Sequence, residues 1–288
     1  MPIDEGREHG TLPEGGRADL HMHSTYSDGA YSPGDLVEKA QAVGLDVISI
    51  TDHDSVSGIE QATRASNGKG VTIVPGIELY TTLSDHEVHI LGYFIDPSEP
   101  RLLEALSVFR RDRLRRAERI IERLNKLKIS ITMESVLANA GDGSIGRPHI
   151  AKAMTDDGYV DNYLQAFTRY IGDYGPAYEK KMVTPPEETM RIIENAGGIA
   201  VLAHPGKFVS DSEILELVKA GLDGIEVVHP SHSPELVQHY RGIVNEFCLV
   251  ETGGSDFHGG LKGDDYAFGQ IFIPAELVET MKTRLPHQ

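Results

Sequence analysis

Cysteine is nearly absent from this chain: Cys248 is the only one in 288 residues. A disulfide framework is therefore excluded, and a reducing, cytoplasmic setting is expected. Long apolar runs are missing too. None approaches the roughly 18 residues that a membrane-spanning helix needs. The polar start MPIDEGREHGTLPEGGR holds no apolar signal-peptide core, and residues 1 to 16 are expected to form a disordered leader. Basic charge is the third shortage. Against 44 Asp and Glu stand 27 Lys and Arg, a formal net charge of −17. Such a body does not grip long duplex nucleic acid by charge alone. It can still accept a nucleotide, because bound divalent ions reverse the field of a carboxylate-rich site. Internal repeats and low-complexity tracts are also lacking.

What the chain has is histidine, 13 in all. Their placement follows a rhythm of short β-branched runs and helical stretches. The runs are RADLHMH, LDVISITDHD, VTIVPGIEL and EVHILGYFI, then, after a long gap, GIAVLAHP, DGIEVVHP and FCLVETGGSDFH. GQIFIP follows as a possible edge or closing strand. Between them, SPGDLVEKAQAVG, TPPEETMRIIENAGG, SDSEILELVKAG and SPELVQHYRGIVNE have the grammar of capped helices, with Ser32 and Thr184 as expected caps. Strand and helix in alternation predict a parallel sheet with helical crossovers. Seven such strands predict a closed or nearly closed barrel over 17–98 and 184–288, with an open doubly wound sheet as the alternative. The gap, 99–183, breaks the rhythm and predicts an all-helical insertion covering the barrel mouth. Leu102, Leu106, Phe109, Leu114, Ile120, Ile121 and Leu124 form the apolar stripe of its long first helix.

The histidines fall mainly where these runs end. His21 and His23 end the first, His53 the second and Glu78 the third. His89 lies in the fourth, His204 and His229 end the next two, and Asp256 and His258 end the last. In a parallel barrel such ends share one rim. Residues i and i+2 of a strand point the same way, so His21 and His23 can hold one ion while Met22 packs on the other side. Asp28 can swing over to a neighbouring ion. One histidine at a strand end is ordinary; this many imidazoles and carboxylates at one location would be costly to bury without metal. The donor set suits zinc, manganese or iron(II).

In the order DLHMHSTYSDG, TDHD, PGIE, EVHILGY, AHP, GSDFH, these motifs resemble the polymerase and histidinol phosphatase (PHP) family of metal-dependent phosphoesterases. The resemblance implies a distorted seven-stranded (β/α) TIM-like barrel and three divalent ions. His21, His23, Glu78 and Asp256 would hold the first. Glu78 would bridge to a second held by His89 and His204. Asp28, His53 and His258 would hold the third; some family members carry histidine at the place of Asp28, and the aspartate makes that site harder and more anionic. GRPHIA, within the insertion, is similar to the branch that acts on nucleotides and short oligonucleotides. The implied reaction removes a phosphate from a nucleoside 3′,5′-bisphosphate or releases mononucleotides 5′ to 3′, by in-line attack of a hydroxide held between ions. A histidinol-phosphate-type phosphatase and a non-catalytic metal-binding module are the alternatives.

On the substrate side, Arg147 and His149 are expected to contact phosphate. His229 and His232 lie on the same rim, and His232 is the better candidate for phosphate donor or general acid. Asp52 is expected either to orient an imidazole or to cap a helix. The arginines of the long helix (110, 111, 113, 115, 116, 119 and 123) are expected to form a solvated face. GGLKGDD lacks phosphate-loop spacing and is expected to be a plain loop.

Overall fold

The computed structural model of the chain describes residues 15–84 and 86–285. The expected leader falls outside them, apart from residues 15 and 16. Strand β1 (Arg17–Met22) pairs in parallel with β2 (Val47–Ile50) through helix α1 (Pro33–Ala42). Local sequence sets both ends of α1. Ser32 accepts from the Asp35 amide, the Asp35 carboxylate accepts from the Ser32 amide, and Pro33 fills the first helical position. Gly44, at φ +74°, takes the left-handed turn that ends the segment. Helix α2 (Ile59–Ser66) leads to β3 (Thr72–Ile73), parallel to β2. Met22, Leu36, Val37, Ile50 and Ala62 share the apolar layer between these helices and strands.

Strands β4 (Gly76–Leu83) and β5 (His86–Tyr93) form an antiparallel hairpin. The insertion follows: α3 (Pro100–Lys126), α4 (Met133–Ala140), α5 (Arg147–Asp156), α6 (Tyr163–Ala166) and a π-helical turn at Phe167–Ile171. Helix α7 (Pro186–Asn195) returns to β6 (Ile199–Leu202). Then α8 (Asp211–Lys219) leads to β7 (Gly224–Val228), and α9 (Pro234–Glu246) to β8 (Val250–Gly253). Short β9 (Ile273–Pro274) and α10 (Glu276–Lys282) come last. Among the described residues no helix is long and apolar enough to cross a membrane.

The seven-stranded barrel expected from the sequence does not form. The strands make two open, mixed sheets, ordered β3-β2-β1-β9 and β4-β5-β6-β7-β8. Two local causes account for this. Only two residues separate β4 from β5, too few for a parallel crossover, so β5 runs antiparallel to both β4 and β6. At the other seam, β9 occupies the edge of β1 at Arg17 and Ala18, and the Asp19 carboxylate accepts from the Ser255 amide. No continuous ladder from β8 to β1 can be built there. The two sheets touch through single bridges, Met22 with Phe257 and His53 with Glu78.

Two smaller expectations also change. VTIVPGIEL splits at Pro75, which has no amide to donate, so Glu78 lies inside β4 rather than at a strand end. Pro185, not Thr184, precedes α7, because the Thr184 carbonyl is taken by the Thr82 amide and the Thr81 hydroxyl. Helix α3 belongs to two cores. Leu102, Leu106 and Phe109 pack with β4, β5 and α7, whereas Ala117, Ile120, Ile121 and Leu124 pack with α4, α5 and the π turn. Leu114, placed on the stripe from sequence, is exposed, and Arg113 takes its place on the buried face.

Candidate metal centre

The two single bridges that join the sheets also gather the donors. Beside Met22 and Phe257 lie His21, His23, Asp256 and His258; the Asp256 amide donates to the His21 carbonyl at 2.8 Å, and the His23 amide to the Phe257 carbonyl at 2.9 Å. The second bridge sets His53 against Glu78. His89 comes in from β5 as a diagonal neighbour of Glu78 across the hairpin. His204 follows β6, at the strange backbone angle φ +27°.

Glu78 is the hub. Its Oε2 lies 2.9 Å from His53 Nδ1, 3.3 Å from His23 Nε2 and 3.5 Å from His21 Nε2. Its Oε1 lies 2.7 Å from His89 Nδ1 and 3.0 Å from His204 Nε2. Asp256 Oδ1 stands 3.3 and 3.2 Å from the Nε2 atoms of His21 and His23. On the far side, Asp28 Oδ1 is 3.4 Å from His258 Nε2 and 3.7 Å from His23 Nδ1. Four overlapping groups with metal-ligand spacing result: His23–Asp28–His53–His258, His21–His204–Asp256, His21–His23–Glu78 and His53–Glu78–His89. Together they draw on the same nine residues singled out in the sequence.

The donor atoms fit a cation better than one another. His21 Nε2, His23 Nε2, Asp28 Oδ1 and Glu78 Oε2 are buried without hydrogen-bond partners. Such orphans are expensive unless a ligand satisfies them. Burial pushes His23 down and His53 to about 3, which keeps both imidazoles neutral, the form that ligates metal. Burial works the same way on His89 and His258, yet the carboxylates around them outweigh it and raise both to about 9. The carboxylates thus favour positive charge at this spot, which a divalent ion would bring. The centre therefore has the burial, charge and N/O donor set of a divalent-metal site.

The supports of these donors were only partly legible. Glu226, buried on β7, accepts from His21 Nδ1 at 2.9 Å and from the His204 amide at 2.7 Å. It thereby turns the His21 Nε2 lone pair toward Glu78 and Asp256. Asp52 touches no imidazole and caps no helix. It accepts from the Ser24 amide and from the hydroxyls of Ser24 and Ser27, and Ser27 Oγ lies 3.4 Å from His23 Nδ1. Glu87 holds His89 Nε2 at 2.9 Å and is itself held by Lys181 Nζ at 2.6 Å.

Residues 19–200 match the PHP domain family model. The chain belongs to the PHP family. Its relatives include the 3′,5′-nucleoside bisphosphate phosphatase of Chromobacterium violaceum, 32% identical over 251 residues, 85% of this chain and 88% of that one. The 5′-3′ exoribonuclease of Haemophilus influenzae is 35% identical over 246 residues, covering 83% and 89%. Among solved structures, a chain from Bifidobacterium adolescentis, described as a candidate metal-dependent phosphoesterase, superposes with a TM-score of 0.88 at 32% identity, covering 94% and 96%.

Around this PHP centre the substrate-side residues divide. Arg147 lines a recess of about 150 Å3 that also exposes Asp28, His53 and His89. Its guanidinium meets Asp173 Oδ1 at 2.7 Å. His149 lies buried nearby, but both ring nitrogens are engaged: Nδ1 accepts from the Gly146 amide and Nε2 reaches the Ser27 carbonyl. It fastens the insertion to the loop after β1 and has no free atom for phosphate. His232 is likewise used up, with Nδ1 on the Val227 carbonyl and Nε2 accepting from the Gly206 amide. His229 is the one facing the centre, its Nε2 unpartnered and 3.6 Å from Asp256 Oδ2. The expected solvated arginine face also fails in part. Arg113 and Arg116 are buried and line the recess with Lys181 and Lys262. Lys262, from the loop GGLKGDD, reaches Asp28 Oδ2 at 3.3 Å and His258 Nε2 at 2.6 Å.

Proposed function

We propose that the chain hydrolyses phosphate esters of nucleotides: the 3′-phosphate of a nucleoside 3′,5′-bisphosphate, or the linkages of short 5′-phosphorylated oligonucleotides. One juxtaposition carries this reading. A buried cluster of orphaned imidazole and carboxylate atoms opens onto a small recess lined by Arg113, Arg116, Arg147, Lys181 and Lys262. Arg113, Arg147, Lys181 and Lys262 each lie against one carboxylate and Arg116 keeps a buried donor free. An anion would join an existing charge network here, and phosphate is the anion that metal-binding chemistry and guanidinium groups both favour. The names of the bisphosphatase and exoribonuclease relatives support the same substrate class.

His21, His23, Glu78 and Asp256 are proposed to hold one divalent ion, Glu78, His89 and His204 a second, and Asp28, His53 and His258 a third. Manganese, iron and zinc all suit these donors. Bound ions would neutralise phosphate oxygens, acidify water and stabilise the leaving oxygen. The chain's own residues do the rest. Arg147 and Lys262, both in the lining of the recess, bind and orient the phosphate. Arg116, whose Nη2 is buried without a partner, adds a donor pre-aimed at an anion. His229 Nε2 is the ring nitrogen free to carry a proton to a leaving oxygen. The insertion, residues 99–183, is proposed as the wall that keeps bulk water from this recess.

The test is turnover of a nucleoside 3′,5′-bisphosphate and a 5′-phosphorylated pentanucleotide, offered together to the manganese-loaded protein. Products are separated by chromatography. Phosphate or mononucleotide is expected, lost on chelation and restored by manganese. His53→Ala should lower turnover by orders of magnitude while the circular dichroism spectrum stays native. An unchanged rate in that variant would remove His53 from the centre; no turnover of either substrate would refute the reading.

A further inference from the structure

The PHP centre also opens sideways into a cleft of about 660 Å3 lined by His89, Arg147, His204, Lys180, Tyr174 and Phe208. The last two are out of place. Tyr174 is 100% exposed and Phe208 is 87% exposed, although both are large rings with no core to fill. Tyr174 sits at φ +65°, a left-handed backbone angle that is costly for a bulky residue. A glycine at this position would take that angle without strain. Phe208 rides on the loop after His204, and that loop is pinned from both sides of Gly206. The Gly206 amide donates to His232 Nε2, and its carbonyl accepts from the Tyr240 hydroxyl. His232 thus has a use after all: it stiffens the segment that presents Phe208.

We propose that Tyr174 and Phe208 form a stacking platform for the unpaired bases of a single-stranded oligonucleotide whose phosphate occupies the metal centre. The inference rests on the phosphoesterase reading and makes its substrate a polymer. Three observations point to that occupant. The cleft is continuous with the recess, since His89 and Arg147 line both. Lys180 and Arg147 line the cleft beside the rings and offer donors to a phosphate backbone, which would share Arg147 with its partner Asp173; Glu87 lies in the same lining. Exposed aromatics beside cations are the arrangement that binds single strands without regard to sequence, because every base has a stackable face. A duplex end would offer no free base to either ring.

The experiment compares wild-type protein with Tyr174→Ala, Phe208→Ala and Phe208→Tyr, all manganese-loaded. The reading is the ratio of kcat/KM on a 5′-phosphorylated pentanucleotide to kcat/KM on a nucleoside 3′,5′-bisphosphate. Each alanine variant should lower this ratio by roughly 5- to 100-fold, the range for loss of one stacked base. The loss should lie in KM, and Phe208→Tyr should restore it. A pentanucleotide with phosphorothioate linkages and 2-aminopurine at its second position should show fluorescence quenching on the wild type that Phe208→Ala abolishes. An unchanged ratio, or undiminished quenching, overturns the platform. A wild-type protein that hydrolyses the bisphosphate but never the pentanucleotide also overturns it, and leaves the phosphoesterase reading standing. Failure on both substrates removes that reading instead.

Discussion

At Lys181 an ammonium lies only about 10% exposed, 2.6 Å from Glu87 and 4.4 Å from the centre of the Tyr80 ring. Burial pushes its pKa down from 10.5 to about 8; the Glu87 charge opposes this, and the guanidinium groups of Arg113 and Arg116 add to it. The folded value lies below the unfolded one. Between about pH 8 and pH 10.5 the unfolded chain therefore holds a proton that the folded chain has released. Stability contributed by this group rises with pH across that window, and the cost of the buried charge is fully present below it. The full change is of order 3 kcal/mol. Urea unfolding on either side of the window should show this gain in the wild type and not in Lys181→Met; equal slopes with pH would reject it. The pairing of His21 with His23 was legible because strand geometry sets i and i+2 on one face. The other seven candidate donors were named from strand ends and from the resemblance to the family, and the structure brings all nine into overlapping groups. His149 and His232 could not be judged that way. Their chemistry depends on which backbone groups their nitrogens meet, and those groups come from Ser27, Gly146, Val227 and Gly206. Lys262 was hidden in a loop with no periodicity to report it.

Helix α3 shows what an element can conceal. Its apolar residues step through Leu102, Leu106, Phe109, Ala117, Ile120 and Leu124, and the same spacing passes through Arg113 and Arg116. Reading the charges as one solvated face overlooked that these two interrupt the stripe instead of facing it. Arg113 Nε donates to the buried Asp54 carboxylate, at the turn just past His53. The insertion is thus keyed to the turn that follows β2 by a buried ion pair. Arg113→Met should cost about 3–5 kcal/mol in urea unfolding, because Asp54 is left as an uncompensated buried charge. Adding Asp54→Asn should recover a large part of that loss. If the double variant is no more stable than the single, the pair is not what joins these elements. Strand identity was legible from β-branched runs and capping grammar, whereas strand direction was not. The shortness of the β4–β5 connection decides direction, and that length is not part of any hydrophobic pattern.

Over the whole molecule the candidate ligands run from His21 to His258 and come from both sheets. Among the described residues the sheets share an apolar core but no continuous ladder; two single bridges link them, and the donor cluster sits at those bridges. On the proposed ligand assignment a bound ion would cross-link the two open sheets as well as serve catalysis. Metal binding that favours the folded chain stabilises it by about 2.7 kcal/mol when free metal is a hundredfold above its dissociation constant. Chelation should therefore lower the melting temperature of the whole chain and not of the insertion alone. The insertion has its own apolar core around Ile120, Ile150 and Met154, with no donor from the cluster in it. Hydrogen exchange resolves the two cases. After chelation, protection should fall at β1, β8 and the His53–Glu78 bridge, and persist at α4 and α5. Equal loss in both regions would mean that the insertion unfolds with the sheets. Loss confined to the insertion would mean that metal does not join the sheets, and that the hydrogen bonds of His21 and His23 with Asp256 and Phe257 and the shared apolar core of Leu20, Tyr93 and Val250 suffice to hold them.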